Sequence, residues 1–321
     1  MYEAIYNVLG TVFGPIMRFI FQIVGNYGVA ILIFTVFCRM LMLPSAISQQ
    51  KNLAKNRRMQ YKLRKITERY KDDKKRQQQE IQAFYQREGF NPMSAGCSGA
   101  MLLQFPIIFG LISAIYHPLK YALKIDAASI AILEKAAPGV LEKVSGTASS
   151  TASYLQLRIM EHINSFAHLI GEGADKLNQG VFDQIVSFAD QFRFFGLNLG
   201  MTPKEGGGFY YLIPILAGLA SFSSAFLTFL RQRKDNPEQT KNPMMGCMTF
   251  FMPLFSVFIS ISFPVGIGIY WIVSSLFAFL QMVVLQQTHK PQKMIARLLV
   301  EETVERRSRE NSRKRLALSD K

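Results

Sequence analysis

Apolar and charged stretches alternate along this chain in long blocks. Five apolar blocks contain very few charges, and each approaches the length of about 20 residues that a helix needs to cross a hydrocarbon core. They cover residues 28–47, 95–116, 209–230, 244–262 and 267–285. The pattern predicts an all-α polytopic membrane protein with five transmembrane helices, and residues 28–287 form the predicted core.

Residues 1–27 are also apolar at roughly helical spacing, but Pro15 and the Gly25-Asn26 pair interrupt them. They contain neither the basic start and small-residue cleavage site of a secretory signal nor a lipidation cysteine. We therefore expect an interfacial amphipathic helix on the outer side of the membrane, leading into the first span. A further transmembrane helix is the alternative.

Residues 49–91 are the most basic block of the chain. They hold thirteen Lys or Arg against five Asp or Glu, a net charge of +8, and their apolar positions have partial helical periodicity. Asp72 and Asp73 lie near the middle, where a turn fits. The pattern predicts a helical hairpin in water, two antiparallel helices that share a thin apolar seam. A merely solvated charged helix is the alternative.

Residues 118–208 have a different composition. They hold eight basic and nine acidic residues, a net charge of −1, and include the Ala/Ser/Gly-rich stretch KVSGTASSTASY. Amphipathic-looking pieces lie on both sides of that stretch. The pattern predicts short helices on the membrane surface, joined by a flexible linker.

Charge asymmetry orients the five predicted spans. Residues 231–243 carry a net charge of +2 and residues 288–321 a net charge of +5. An odd number of spans places these two segments on the same side as 49–91, and places 118–208 with the N-terminus on the other side. The positive-inside rule then predicts an outer N-terminus, an extracytoplasmic 118–208 segment and a basic cytoplasmic tail over 288–321.

The composition is typical of a membrane protein and argues against some kinds of binding site. Hydrophobic residues make up 49% and charged residues 18% of the 321 residues, with a formal net charge of +15. The basic residues cluster beside the apolar blocks, which indicates topology first and then contact with anionic lipid or ribosomal RNA. Cys38, Cys97 and Cys247 form no C-x-x-C, which argues against a disulfide framework or a zinc site. We expect no metal and no cofactor.

Arg39 stands inside the first apolar block, with Thr35 one helical turn before it on the same face. A charge at membrane depth costs several kcal/mol unless water, a partner or a cavity receives it, so it marks function. No Asp or Glu occurs in any of the five blocks. We therefore infer a hydrated cavity lined by polar residues of the other spans, namely Gln104, Ser113, Ser221, Ser224, Thr228, Trp271, Ser274, Ser275 and Gln281. The alternative is that the side chain of Arg39 extends to the cytoplasmic headgroups.

Signals of enzyme chemistry are weak. The GCSG stretch, residues 96–99, is similar to the serine motif of rhomboid-type intramembrane proteases, but no histidine lies inside a later span to act as its base. H-E-x-x-H, Walker A and G-x-G-x-x-G motifs are absent from the sequence. We expect no enzymatic activity. A channel or transporter that uses Arg39 as an anion site stays open as an alternative.

Several motifs together resemble the YidC family of membrane protein insertases, the YidC/Oxa/Alb type. They are TVFCRMLMLP followed by a basic hairpin, QFPIIFGLISAI, FFGLNLG, and FMPLFSVFISISFPVGIGIYWIVSSLFAFLQ. The resemblance covers about residues 20 to 290 and includes the order of all five spans. The large periplasmic domain of the Gram-negative members has no counterpart here, so the Gram-positive type is the expected one.

The resemblance implies a five-helix core around a hydrophilic groove that is open to cytoplasm and lipid, with a cytoplasmic helical hairpin over 49–91. Arg39 matches the single groove arginine of the family, and Gln104 and Trp271 fall where groove-lining residues are expected. With the polar neighbours inferred above, the expected substrate-binding groove consists of six residues: Arg39, Thr35, Gln104, Trp271, Ser274 and Ser275.

The function that the resemblance implies is insertion of small membrane proteins into a bacterial cytoplasmic membrane, alone or with the Sec translocon. The expected partners are nascent membrane proteins, the ribosome through the basic tail, and anionic lipids. We expect a monomer to suffice. In this mechanism Arg39 holds an acidic residue of the translocated tail for a short time.

Overall fold

The computed structural model describes residues 2–87, 99–145, 154–173, 175–235, 243–288, 296, 300 and 303–312. The chain forms two compact units. The first comprises Met1–Leu41 and Gln104–Phe279, and the second comprises Met42–Leu103 and Leu280–Lys321.

The described elements are nearly all helical. In chain order they are α1 (Tyr2–Val24), α2 (Tyr27–Leu41), α3 (Leu43–Arg69), α4 (Lys74–Arg87), α5 (Gly99–Tyr116), α6 (Pro118–Tyr121), α7 (Ala127–Ser145), α8 (Leu155–Glu161), a 3-10 helix (Ile163–Leu169), α9 (Gln179–Gln191), β1 (Arg193–Phe194), β2 (Leu197–Asn198), α10 (Pro203–Gly206), a second 3-10 helix (Gly208–Tyr211), α11 (Leu212–Asp235), α12 (Pro243–Ser262) and α13 (Val265–Thr288). Residues 303–312 are also helical.

Two helical stretches of the described chain are long and apolar enough to cross a membrane, Gly208–Arg231 with 24 residues and Val265–Leu285 with 21. Four shorter apolar helices accompany them: Val8–Val24, Tyr27–Leu41, Gln104–Tyr116 and Thr249–Ser262. This helical content and these apolar helices are those of an all-α membrane protein.

The first predicted span, 28–47, contains a helix boundary. Helix α2 ends at Leu41, and α3 begins at Leu43 with Pro44 in its first turn. Proline has no backbone N–H to donate, and its ring clashes with the carbonyl group four residues earlier, so the first turn of a helix accommodates it at the least cost. The regular apolar helix that carries Arg39 is therefore 15 residues long.

Helix α1 turns back at Gly25 and packs along α2. The rings of Phe13 and Phe34 meet edge to face with centroids 5.9 Å apart. At Gly110 in α5 an added Cβ would lie 2.2 Å from the ring of Phe13, so only glycine lets α1 come this close. The outer face of α1 is apolar as well, since Phe19 and Ile23 are exposed. An apolar exposed face favours contact with lipid over contact with water.

The helices of the 118–208 segment pack together around one core. Leu133 of α7, Ile159 of α8 and Ile185 of α9 are fully buried there. An aromatic cluster joins this core to the start of α2, because the ring of Tyr27 lies 5.6 Å from Phe188 and 4.9 Å from Phe192. The short helices thus form a folded layer with a shared core. Most of the predicted flexible linker, residues 146–153, lies outside the described residues.

A tight β-hairpin connects that layer to the starts of two apolar helices. In it Phe194 of β1 pairs with Leu197 of β2. The side chain of Asn26 accepts a hydrogen bond from Val29 N, which caps α2, and donates one to the carbonyl oxygen of Arg193 (3.0 Å). Directly after β2, the carbonyl oxygen of Leu199 accepts a hydrogen bond from the backbone N–H of Gly266, at the start of α13 (2.9 Å).

In the second unit, α3 and α4 form an antiparallel helical hairpin. Asp73 accepts a hydrogen bond from Arg76 N and so caps α4, which begins at Lys74. The side chain of Gln77 donates to the carbonyl oxygen of Thr67 across the pair (2.9 Å). Phe84 is buried at the seam. Over residues 62–87, where the structure describes the side chains, Phe84 is the one buried residue and most of the others are exposed.

Candidate functional site

The guanidinium group of Arg39 is hydrogen-bonded to helix α13. Its Nε atom donates to Ser274 Oγ at 2.9 Å, and its Nη2 atom donates to the same oxygen. Ser274 is 3% exposed, whereas Arg39 is half-buried. Arg39 lies in the last turn of α2, so its side chain joins two apolar helices that are far apart in sequence.

Tyr270 extends this polar cluster to α5. It lies one helical turn before Ser274 on α13, is 2% exposed, and accepts a hydrogen bond from the side-chain nitrogen of Gln104. The Tyr270 hydroxyl also lies within reach of the Ser274 side chain. Tyr270 was not among the residues predicted from the sequence. Its spacing of four residues from Ser274 was the signal that could have found it, because such pairs share a helix face.

The charge of Arg39 is not neutralised by an acid in the described part of the chain. The ionisable groups that act on it there are Tyr270 and Cys38, neither of which is a carboxyl group. The hydroxyl of Ser274 provides a dipole but no charge. Among the described residues there is also no group of three or more His, Cys, Asp or Glu side chains that could hold a metal ion. The cluster therefore combines a cation with neutral polar groups.

A second polar cluster lies between α11 and α13. The hydroxyl oxygens of Ser221 and Ser275 are 3.1 Å apart, and Ser224 donates to the backbone carbonyl of Ser275 at 3.2 Å. Ser275 follows Ser274 directly in the helix. The two serines therefore point about 100° apart, one toward α2 and the other toward α11.

The six residues predicted for the groove are not all brought together. Ser274 and Gln104 are linked to Arg39 and Tyr270 as described above, and Ser275 belongs to the cluster with α11. Thr35 is fully buried, and its hydroxyl donates to the carbonyl oxygen of Ile31 in its own helix (2.6 Å). Trp271 is half-buried and shares a helix face with Ser275, four residues later.

The arrangement around Arg39 is suited to an anion. A guanidinium group carries five N–H donors in a planar fork, which matches the two oxygens of a carboxylate. Ser274, a neutral acceptor, orients the group and leaves its charge uncompensated. A carboxylate that reached this half-buried guanidinium group would accept a charge-assisted hydrogen bond, which is stronger than a bond between neutral groups.

Apolar helices and, among the described residues, a cation without an acidic partner define an α-helical membrane protein with a polar site inside its apolar part. Comparison with known proteins assigns the chain to a family within this class. Residues 19–293 match the model of the family described as 60Kd inner membrane protein. The match covers most of the chain, which therefore belongs to this family, as its motifs indicate.

The most similar proteins include three that are named membrane protein insertase YidC. The chain is 30% identical to the protein of Granulibacter bethesdensis over 274 residues, 85% of this chain and 37% of that relative. It is 28% identical to the protein of Rickettsia africae over 267 residues, 83% and 36% of the two chains. It is 26% identical to that of Brucella melitensis over 274 residues, 85% and 34%. The chain spans about a third of the length of the curated relatives it matches.

Proposed function

We propose that this protein inserts small membrane proteins from the cytoplasm into the lipid bilayer, through a hydrophilic groove that contains Arg39. The single observation that carries the proposal is the position of Arg39 among apolar helices, hydrogen-bonded to Ser274 and without an acidic partner in the described part of the chain. Membership of the inner membrane protein family, and relatives that are named membrane protein insertases, support the same function. The process is physical transfer, with no covalent step.

In this proposal α2, α5, α11, α12 and α13 are the five spans, and the two polar clusters line the groove. Helix α2 has 15 residues, about 22 Å at 1.5 Å per residue. That is less than the roughly 30 Å of a hydrocarbon core. A short helix, followed directly by a second helix with a proline in its first turn, fits a groove that water enters from one side.

The proposed groove lowers the cost of moving a polar tail across the bilayer. Each unsatisfied backbone group that enters hydrocarbon costs several kcal/mol. A hydrated path that reaches partway across shortens the dry part of the route. The apolar segment of the substrate then leaves sideways into lipid along α11 and α13, where its transfer from water is favourable.

Arg39 is the proposed transient partner of an acidic residue in the translocated tail. Its guanidinium group holds the carboxylate at the end of the hydrated path. The membrane potential contributes about 2.3 kcal/mol per elementary charge per 100 mV and favours outward movement of a negative charge. The hydrogen bond to Ser274 holds Arg39 in position without neutralising it.

The charge distribution supports an outer N-terminus and a cytoplasmic C-terminus in a bacterial cytoplasmic membrane. The basic segments 49–91 and 288–321 then face the cytoplasm, where anionic headgroups attract them, and the folded 118–208 segment lies outside. In this orientation the α3–α4 hairpin is placed to meet a nascent chain first.

The proposed partners follow from the same charges. The tail over 288–321 is suited to ribosomal RNA, since basic segments bind phosphate backbones in a salt-dependent manner. Ribosome co-sedimentation that falls with salt, and that is abolished by deleting residues 301–321, would support this contact. The protein would act as a monomer, either alone or beside the Sec translocon.

A second function is compatible with Arg39, because a cation among apolar helices is also suited to an anion channel or transporter. Purified protein in vesicles separates the two. Protease-protected insertion of a radiolabelled single-span protein supports the insertase, whereas anion flux without any substrate protein supports the channel. If the protein inserts nothing alone but stimulates insertion by the translocon, a purely assisting role replaces the proposed one.

A further inference from the structure

The tip of the β1–β2 hairpin carries an aromatic residue in an unusual conformation. Phe195 and Gly196 form the two-residue loop, with φ of +49° and +77°. Two-residue loops of this kind favour Asn-Gly, because both residues need positive φ and side chains other than Asn, Asp or Gly adopt it with strain. A bulky residue in this region is an outlier, and such outliers concentrate at functional sites.

Burial of the Phe195 ring does not offset the strain of this backbone conformation. It is 82% exposed, more than any other large hydrophobic side chain of the described chain. Its ring contacts Phe194, with centroids 4.5 Å apart, and otherwise points away from the core that begins at Phe192 and Leu197. An apolar side chain that stays exposed on a strained turn of the folded protein indicates a binding partner outside the chain.

The position of the hairpin indicates which partner this is. Asn26, which starts α2, holds β1 through the carbonyl oxygen of Arg193. Val265 and Gly266, which start α13, donate to Met201 and Leu199, directly after β2. These hydrogen bonds hold the hairpin at the level where two apolar helices begin.

The neighbouring exposed residues have the composition of a membrane interface. Phe19 and Ile23, in the last two turns of α1, are 64% and 69% exposed, and Ile23 lies three residues before Asn26. Arg193, two residues before the tip, is exposed too. Aromatic and aliphatic side chains beside a long basic one are typical of the level between acyl chains and headgroups, where the basic group reaches the phosphates.

We propose that Phe195 inserts into the lipid of the outer leaflet and anchors the folded 118–208 layer to the bilayer surface. The partner is lipid and not protein, because the hairpin is bonded to the starts of two apolar helices and the last turns of α1, directly before Asn26, expose apolar side chains. The inference rests on the proposed function only for the orientation of α2 and α13 in the membrane.

Tryptophan fluorescence in vesicles tests the anchor directly. The chain has one tryptophan, so Phe195→Trp combined with Trp271→Phe gives a single reporter at the tip. The matched control is Lys135→Trp combined with Trp271→Phe, on an 81% exposed side chain of α7. Both full-length variants are placed in phosphatidylcholine–phosphatidylglycerol vesicles, with and without lipids brominated near the headgroup end of the acyl chains.

We expect the tip reporter to emit at shorter wavelength and to lose most of its emission to the brominated lipid. The reporter on α7 should keep its emission and be quenched by iodide in the water. Equal lipid quenching at the two positions, or a tip reporter that iodide quenches and brominated lipid does not, would overturn the proposal. The vesicles contain no substrate protein, so failure of the insertion reaction leaves this readout intact.

A second variant separates anchoring from a structural role of the ring. Phe195→Asn places the preferred residue in the turn, so its melting temperature in detergent should equal or exceed that of the unmodified protein. A lower melting temperature would mean that the ring stabilises the fold through Phe194, which contradicts the proposal that its partner is lipid.

Discussion

The guanidinium group of Arg39 and the hydroxyl of Ser274 are hydrogen-bonded at 2.9 Å across 235 positions of sequence. The bond joins the end of α2 to the middle of α13. A serine orients a cation without cancelling its charge, whereas a carboxylate partner would neutralise it and leave nothing for a substrate. In this way the fold fixes the position of Arg39 and keeps its charge available.

The hydrogen bond between Gln104 and Tyr270 should couple α5 to α13 energetically. Tyr270→Phe and Gln104→Leu should each lower the free energy of unfolding by about 1 kcal/mol, and the double variant should lose less than their sum, because polar pairs between membrane helices contribute about 0.6–1.7 kcal/mol. Unfolding in mixed detergent measures the cycle. Tyr211→Phe, on an exposed tyrosine, is the matched control. Strict additivity of the two changes would contradict the bond.

The close approach of α1 to α5 depends on Gly110. Gly110→Ala puts a methyl group 2.2 Å from the ring of Phe13, which should destabilise the protein by about 1–3 kcal/mol through overpacking. Adding Phe13→Leu should recover part of the loss. Thermal unfolding and proteolysis of α1 measure both effects.

Gly139→Ala on α7 is the control for that substitution. An added methyl group at Gly139 meets nothing within 4 Å, so the same change there should stabilise the helix by about 0.5–1 kcal/mol. If alanine had the same effect at the two glycines, α1 would not be docked where the structure has it.

The start of α7 should respond to acid through Asp126. Its carboxylate accepts a hydrogen bond from Ser129 N at 2.8 Å, and hydrogen bonds from Ser129 hold the pKa of Asp126 below its usual range. A carboxyl group with a lowered pKa contributes stability above its unfolded pKa of about 3.9, and this contribution is lost as the pH falls through the lower folded value.

Asp126→Ala should therefore destabilise the protein by about 1 kcal/mol at neutral pH, and less at low pH. Asp126→Asn keeps a capping oxygen, so it should retain most of the stability while removing this part of the pH dependence. The measurement is thermal unfolding from neutral pH down to pH values below 3.9. An acid response that is unchanged in Asp126→Asn would contradict the assignment.

Arg39 is a candidate site residue from the sequence because a cation without an acid in any apolar block is costly, and that reasoning needs no coordinates. The contact with Ser274 depends on how two distant helices pack, which periodicity along one helix cannot reveal. Tyr270 was overlooked because an aromatic residue in an apolar helix is usually a packing residue.

Thr35 shows that a shared helix face does not establish a shared polar contact. Its spacing places it on the face of Arg39, yet its hydroxyl donates a hydrogen bond to the carbonyl oxygen of Ile31, a common bond for threonine in a helix. Similarly, the amphipathic pieces of 118–208 indicated helices but not their shared core. That core depends on contacts such as Tyr27 with Phe188, which are distant in sequence.

We propose that the charge of Arg39 receives an acidic residue of the substrate tail. The direct test is insertion of a single-span protein with an acidic tail, and of the same protein with a neutral tail, into vesicles that contain unmodified protein, Arg39→Lys or Arg39→Ala. A charge-assisted hydrogen bond contributes about 1.5–3 kcal/mol, so Arg39→Ala should insert the acidic tail about tenfold or more slowly. Arg39→Lys should keep most of the rate, and the neutral tail should change little. Insertion of the acidic tail by Arg39→Ala at the unmodified rate would contradict the account.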